Sequence, residues 1–192
     1  MDKKIENLIE NWQKNNISAL YCANKAEALA KILELIPLKS SIGISGSQTL
    51  EELEIVKHLE ARGNQVMNQN KPGLSREESL ELRKQGSLAD YYLTSANAVS
   101  LKNGELVFLS AWGHRIAGIS NAKNVIVICG INKLTPDLEA AIKRAKEYAM
   151  PLNYKRLNWD SARKMCCQVL IVEAEATAGR LKVILVGEEL GF

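Results

Sequence analysis

Histidine and cysteine are scarce in this 192-residue chain, with two of the first and four of the second. A zinc site needs about four ligands at workable spacing. The cysteines, Cys22, Cys129, Cys166 and Cys167, form no C-x-x-C pair. Cys166 and Cys167 are sequence neighbours, with Cα atoms ~3.8 Å apart, too close for an unstrained disulfide. No metal site is expected. Cys129 lies in "NVIVICG", an apolar run that predicts a buried strand, and it reads as a small core hydrophobe.

Aromatic residues make up only 5% of the chain, and the net charge of +3 is small. A dedicated nucleic-acid binder would cluster its Lys and Arg and interleave aromatics. Here the basic residues are scattered along helical patterns, so no nucleic-acid partner is expected. No apolar run approaches the ~20 residues that span a bilayer. The first residues, "MDKKIENLIENWQKNN", are polar and amphipathic, unlike a secretory signal. No membrane partner and a cytoplasmic location are the expectations.

What is present is alternation of strand and helix. Ile5, Leu8, Ile9 and Trp12 share one helical face. "ISALYCA" predicts a strand, and "NKAEALAKILELIP" a helix capped by Asn24. "SIGIS" is a buried strand, followed by one helix through "QTLEELEIVKHLEARG" with Gly63 just past its end. "QVMNQ" is a strand. "SREESLELRKQG" is a helix with a Ser75–Glu78 capping box and Gly86 at its end. "ADYYLTSANAVS" and "ELVFLS" read as a hairpin turned by "KNG". "NVIVICG" precedes a helix with Thr135 as N-cap and Pro136 at its first position. "CQVLIVEA" and "RLKVILVGEELGF" read as a second hairpin. This order predicts an α/β three-layer sandwich with a mixed, largely parallel sheet. One domain spans residues 1–192, with residues 1–16 as a helix packed on it.

Chemistry concentrates at strand ends. "SIGISGSQTLEEL" places Gly43, Ser45, Gly46, Ser47 and Thr49 between a buried strand and a helix. Such a turn cradles an anion on its backbone N–H groups, or it simply starts a helix with Ser47 or Thr49 as the cap. "TSANAVS" puts Ser95 and Asn97 at a strand end. "WGHRIAG" supplies Gly113, His114 and Arg115. The Arg115 fork suits a carboxylate or phosphate, and equally a structural ion pair. His114 is an acid–base candidate or an ordinary half-buried histidine. "GINK" sets Asn132 and Lys133 after a buried strand, where the lysine holds an anion or is a solvated loop residue. Glu188 and Glu189 follow the last strand. Glu188 is the candidate catalytic carboxylate, whereas Glu189 reads as an exposed turn residue.

Together "GISGSQTLEEL", "ADYYLTSANAVSLKNGELV", "GHRIAG", "KNVIVICGINKL", "DLEAAIKRAKEYAMPLNYKRL" and "VILVGEELGF" resemble the LUD-domain family of lactate-utilisation proteins, from about Asn11 to Phe192. The resemblance implies a fold like that of ribose-5-phosphate isomerase, glucosamine-6-phosphate deaminase and the CoA transferases (the NagB/RpiA/CoA-transferase-like group). In several members of that group a loop like "GISGSQT" holds phosphate. It further implies a small anionic metabolite, phosphorylated, CoA-linked or carboxylate, with no cofactor of the domain's own. The family context is oxidation of lactate to pyruvate beside iron–sulfur partners. The alternative is a non-catalytic subunit or regulator of an iron–sulfur oxidoreductase, and a homodimer is compatible with either. Two departures matter. The family segment "DGxGNR" reads "SAWGHR" here, so Ser110 stands for the Asp and His114 for the Asn, while Gly113 and Arg115 are kept. Relatives also carry a "CxxC"-like segment, of which this chain matches only Cys166.

Overall fold

The computed structural model describes residues 2–160, 162, 166 and 168–192. Its strands are β1 (Ser18–Cys22), β2 (Ser41–Ile44), β3 (Gln65–Met67), β4 (Tyr91–Thr94), β5 (Ala98–Ser100), β6 (Leu106–Ser110), β7 (Asn124–Gly130), β8 (Leu134–Thr135), β9 (Gln168–Val172) and β10 (Leu181–Val186). The helices are α1 (Lys3–Lys14), α2 (Lys25–Leu35), α3 (Gln48–Glu52), α4 (Ile55–Ala61), α5 (Arg76–Ser87), α6 (His114–Asn121), α7 (Leu138–Arg144) and α8 (Met150–Arg156). A π-helical turn, Ala145–Ala149, joins α7 to α8.

Six strands form one sheet in the order β1-β10-β7-β4-β2-β3, and every pairing in it is parallel. A parallel strand is covered on both faces, so it reads as a continuous apolar run. In β7, Val125, Val127 and Cys129 enter the core shared with α1 and α6 through Leu8, Trp12 and Ile119. Ile126 and Ile128 point the other way, into the core formed with α2, α3 and α4. The alternation follows from the period of two along a strand. Trp12 is fully buried and donates from Nε1 to the Gly104 carbonyl at 2.7 Å, which fastens α1 to the β5–β6 turn.

The second sheet runs β8-β5-β6-β9 and carries the mixed pairing, with β5–β8 parallel and β5–β6 and β6–β9 antiparallel. The first expected hairpin is therefore β5–β6 alone. The chain breaks at Ser95–Asn97, and β4 stays in the parallel sheet. The second expected hairpin does not form. β9 joins the small sheet, and β10 inserts between β1 and β7.

Local signals largely hold. Asn24 accepts from Glu27 N as the α2 cap, and Ser75 and Glu78 form the capping box. The cap before α7 is Asp137, not Thr135: its carboxylate accepts from Ala140 N, while Thr135 ends β8. The long helix expected after the glycine-rich turn is two short ones, because Glu54 takes a left-handed conformation (φ 47°) between α3 and α4.

Gly43 sits where α5 crosses β2. A Cβ there would lie 2.0 Å from the Gly86 carbonyl oxygen, a backbone atom with no freedom to step aside. Gly43→Ala should therefore lower stability by about 1–3 kcal/mol, read as a shifted urea midpoint with unchanged slope.

Candidate functional site

β7, β4 and β2 are neighbours, and their carboxyl ends deliver three segments to one place. Open α/β sheets bind ligands at this edge. After β2 comes Gly46–Thr49, after β4 comes Ser95–Asn97, and after β7 a 3₁₀ turn, Ile131–Lys133, brings in Lys133. They line an inner cavity of about 30 Å³ with Arg115, Leu109, Met150, Asn153 and Phe192. That space admits two water-sized groups, hence one carboxylate.

Lys133 is its chief feature. The side chain is 1% exposed. Nζ donates to Thr49 Oγ1 at 2.7 Å and to Ser95 Oγ at 2.5 Å. Thr49 in turn reaches the Leu190 carbonyl, and Ser95 the Ala96 carbonyl, so both hydroxyls can spend their protons elsewhere and accept from the ammonium. The third Nζ proton has no partner among the described residues. Burial pushes the Lys133 ammonium down to about 8, with the positive charges of Arg144 and Arg115 acting in the same direction. A neutral fraction is thus accessible in mildly alkaline solution, so Lys133 can take a proton as well as hold an anion.

Arg115 stands at the start of α6, after Gly113 turns the chain at φ 73°. Its Nη1 donates to the Leu109 carbonyl at 2.5 Å and to Asn97 Oδ1 at 3.3 Å, and its Nη2 to the Gly46 carbonyl at 2.9 Å. Arg115 Nε is buried without a hydrogen bond. The guanidinium spans the walls on which Gly46 and Leu109 sit, and the side chain lines a second, outer cavity as well. Its partners are carbonyls rather than the carboxylate of Glu188.

Several of the expected residues are elsewhere. Gly43 is held against α5, as above. Ser45 Oγ is bonded to Thr94 Oγ1 at 2.9 Å and does not line the inner cavity. Asn132 clasps the last residues, donating to the Gly191 carbonyl and accepting from Leu190 N. Glu188, the expected catalytic carboxylate, instead accepts from Lys25 N at the start of α2 and lines neither cavity. Ser47 occupies the α3 cap position without a side-chain cap bond. α3 has only five residues, so its dipole adds little to the site. Gly113 lies close to Gln168. His114 lines the outer cavity, and burial with the nearby Arg115 and Arg83 charges pushes its imidazole down to about 3. It is neutral at physiological pH and supplies no cationic acid. Cys166 lines both cavities. Cys167 lies outside the described residues.

The outer cavity, about 240 Å³, is bounded by Gln69, Asn70, Arg83, Trp112, Arg156 and Trp159, among others. Most of these came from stretches that carry no motif. The π turn in the α7–α8 rod resets its register just before Met150 and Asn153, which both face the inner cavity. Such turns recur at functional sites. Among the described residues neither lining contains an Asp or Glu, although Glu51 pairs with Arg156 from outside at 2.6 Å. Among the described residues no group of three His, Cys, Asp or Glu side chains could hold a metal, and no helix is long and apolar enough to cross a membrane.

Comparison with known proteins bears on the whole chain. A family model described as LUD domain matches residues 5–186. A DUF162 family protein from Deinococcus radiodurans has a similar structure, with a TM-score of 0.60 over 96% of this chain and 97% of that one, at 12% identity. Ribose 5-phosphate isomerase A from Methanocaldococcus jannaschii is less similar, with a TM-score of 0.39, 17% identity, and coverage of 70% of this chain and 65% of that one. No curated protein matches significantly.

Proposed function

The chain belongs to the LUD domain family, and on that premise we propose that this lactate-utilisation-type protein binds the carboxylate of a small anionic metabolite in the inner cavity. The ligand would be a short hydroxy- or oxo-acid, and its binding would serve oxidation of lactate to pyruvate. One observation carries the reading: Lys133 is buried beside Arg115 in a cavity whose described lining residues include no Asp or Glu. Buried charge is ordinarily paired. Two hydroxyls supply Lys133 with hydrogen bonds but no counter-charge, and Glu52, which favours the ammonium, is ion-paired with Lys25 instead. A carboxylate would supply it, accepting the third Nζ proton and neutralising the mutual repulsion of Lys133, Arg115 and Arg144. The cavity volume argues for a carboxylate over a bulkier anionic group at this depth.

The test is thermal unfolding of the pure protein with lactate, pyruvate, acetate and phosphate. A hydroxy- or oxo-acid at ~100 times its dissociation constant should add about 2.7 kcal/mol to stability. Lys133→Met should remove that gain. If no carboxylate shifts the melting temperature, or if Lys133→Met keeps the shift, the cavity is not a carboxylate site.

A further inference from the structure

The outer cavity gathers polar atoms that no group among the described residues satisfies. Gln69 is 5% exposed, yet neither its amide nitrogen nor its amide oxygen has a partner. Ser110 Oγ, His114 Nδ1 and Arg83 Nε are buried and unpartnered as well, and all these residues line the same 240 Å³ space. Native structures rarely leave such groups unmatched, and several at one place mark a site made for something else. Elsewhere among the described residues the unmatched side-chain atoms are one on Asn64 and one each on Ser100 and Glu105, two side chains that act on each other.

The chemistry of the lining is specific. The Gln69 amide offers one donor beside one acceptor, the arrangement that reads a purine edge such as adenine N6 and N7. His114, held neutral, adds a further acceptor or donor at Nδ1. Trp112 is 49% exposed and meets Trp159 edge-on at 5.1 Å between centroids. Aromatic faces of this kind stack bases. Arg83 lies over the Trp112 ring at 4.5 Å and makes no hydrogen bond or ion pair among the described residues, so its charge is available to a phosphate.

We propose that the outer cavity is a mononucleotide subsite, in which the base takes Gln69 and the tryptophans and the phosphate takes Arg83. It adjoins the carboxylate cavity across Arg115 and holds a second ligand beside the first, so the two bind together rather than in competition. The inference does not depend on what fills the inner cavity.

Adenosine, AMP and ribose 5-phosphate separate the contributions, with binding followed by calorimetry and by tryptophan fluorescence. AMP should bind and quench emission, and adenosine should bind more weakly. Ribose 5-phosphate, which lacks the base, should bind at least tenfold more weakly than AMP. Gln69→Leu should weaken AMP about tenfold, and so should Trp112→Ala, a change at a half-exposed position that leaves the core intact. Pyruvate at saturation should leave the AMP affinity within about twofold. Binding of adenosine or AMP without any response to carboxylates would support this subsite and sink the anion reading of the inner cavity. Response to carboxylates with no binding of adenosine or AMP would do the reverse. Ribose 5-phosphate binding as tightly as AMP, or AMP affinity unchanged in both variants, would also overturn the subsite.

Discussion

Arg115→Met should cost about 3–5 kcal/mol of stability, because two charge-assisted bonds to backbone carbonyls disappear together and leave partly buried oxygens unmatched. The oxygens are those of Gly46 and Leu109, with Asn97 Oδ1 as a third, longer contact. They belong to the turn after β2 and to β6, so the guanidinium ties the parallel sheet to the small one. Arg115→Lys should recover only part of the loss, since an ammonium cannot reproduce a fork that reaches two walls at once. Glu188→Gln should leave stability within about 0.5 kcal/mol, because the Glu188 carboxylate has no contact with Arg115 and accepts an exposed backbone N–H that an amide oxygen can also accept. Urea midpoints at constant slope decide the matter. Equal midpoints for wild type and Arg115→Met would mean that the crossbar contributes nothing. The guanidinium would then be free to turn toward a ligand.

That crossbar shows what the sequence can and cannot say. "GHRIAG" marks Arg115 as a residue with work to do, and its planar fork limits the partners to paired oxygens. Which oxygens it meets depends on a contact 69 residues away, at Gly46. The same limit explains the second hairpin. "VLIV" and "LKVILV" are both apolar runs, and an apolar run announces a buried strand without naming its neighbour. Turn residues between them suggested adjacency, but β10 gains two parallel partners by entering the large sheet. Strand–turn–helix order, the caps at Asn24 and Ser75 and the burial of β7 were legible because each is decided within a few residues. In the site, Lys133, Thr49 and Ser95 were visible as polar residues at strand ends. Gln69, Arg83 and Asn153 were not. They sit in ordinary polar stretches, and only the close approach of α5, the β3–α5 connection and the π-shifted rod turns them toward one space.

The charge on Lys133 should write itself into the pH dependence of stability, in a direction opposite to that of a salt-bridged lysine. Its ammonium titrates near 8 in the fold and near 10.5 when unfolded. Between those values the unfolded chain holds a proton that the native state has released. Stability due to this residue therefore rises with pH across 8 to 10.5, by on the order of 3 kcal/mol, and is flat below 8 where both states are protonated. The buried thiols oppose it, since burial raises Cys22 and Cys129 and the native state keeps protons there that the unfolded chain loses. The difference between wild type and Lys133→Met cancels most of that background and isolates the lysine. The variant should be more stable than wild type at pH 7, with the gap closing toward pH 10.5. A carboxylate reverses the balance, because it stabilises the ammonium and moves its titration back up. Affinity for a short oxo-acid should then be constant below about pH 8 and fall by up to tenfold for each further pH unit. Guanidine-free thermal melts from pH 6 to 10.5, with and without pyruvate, measure both effects on the same samples. A wild-type curve parallel to that of Lys133→Met would show that Lys133 stays charged in the empty fold. The cavity would then be more polar than its lining suggests, and the need for an anion would vanish with the repulsion.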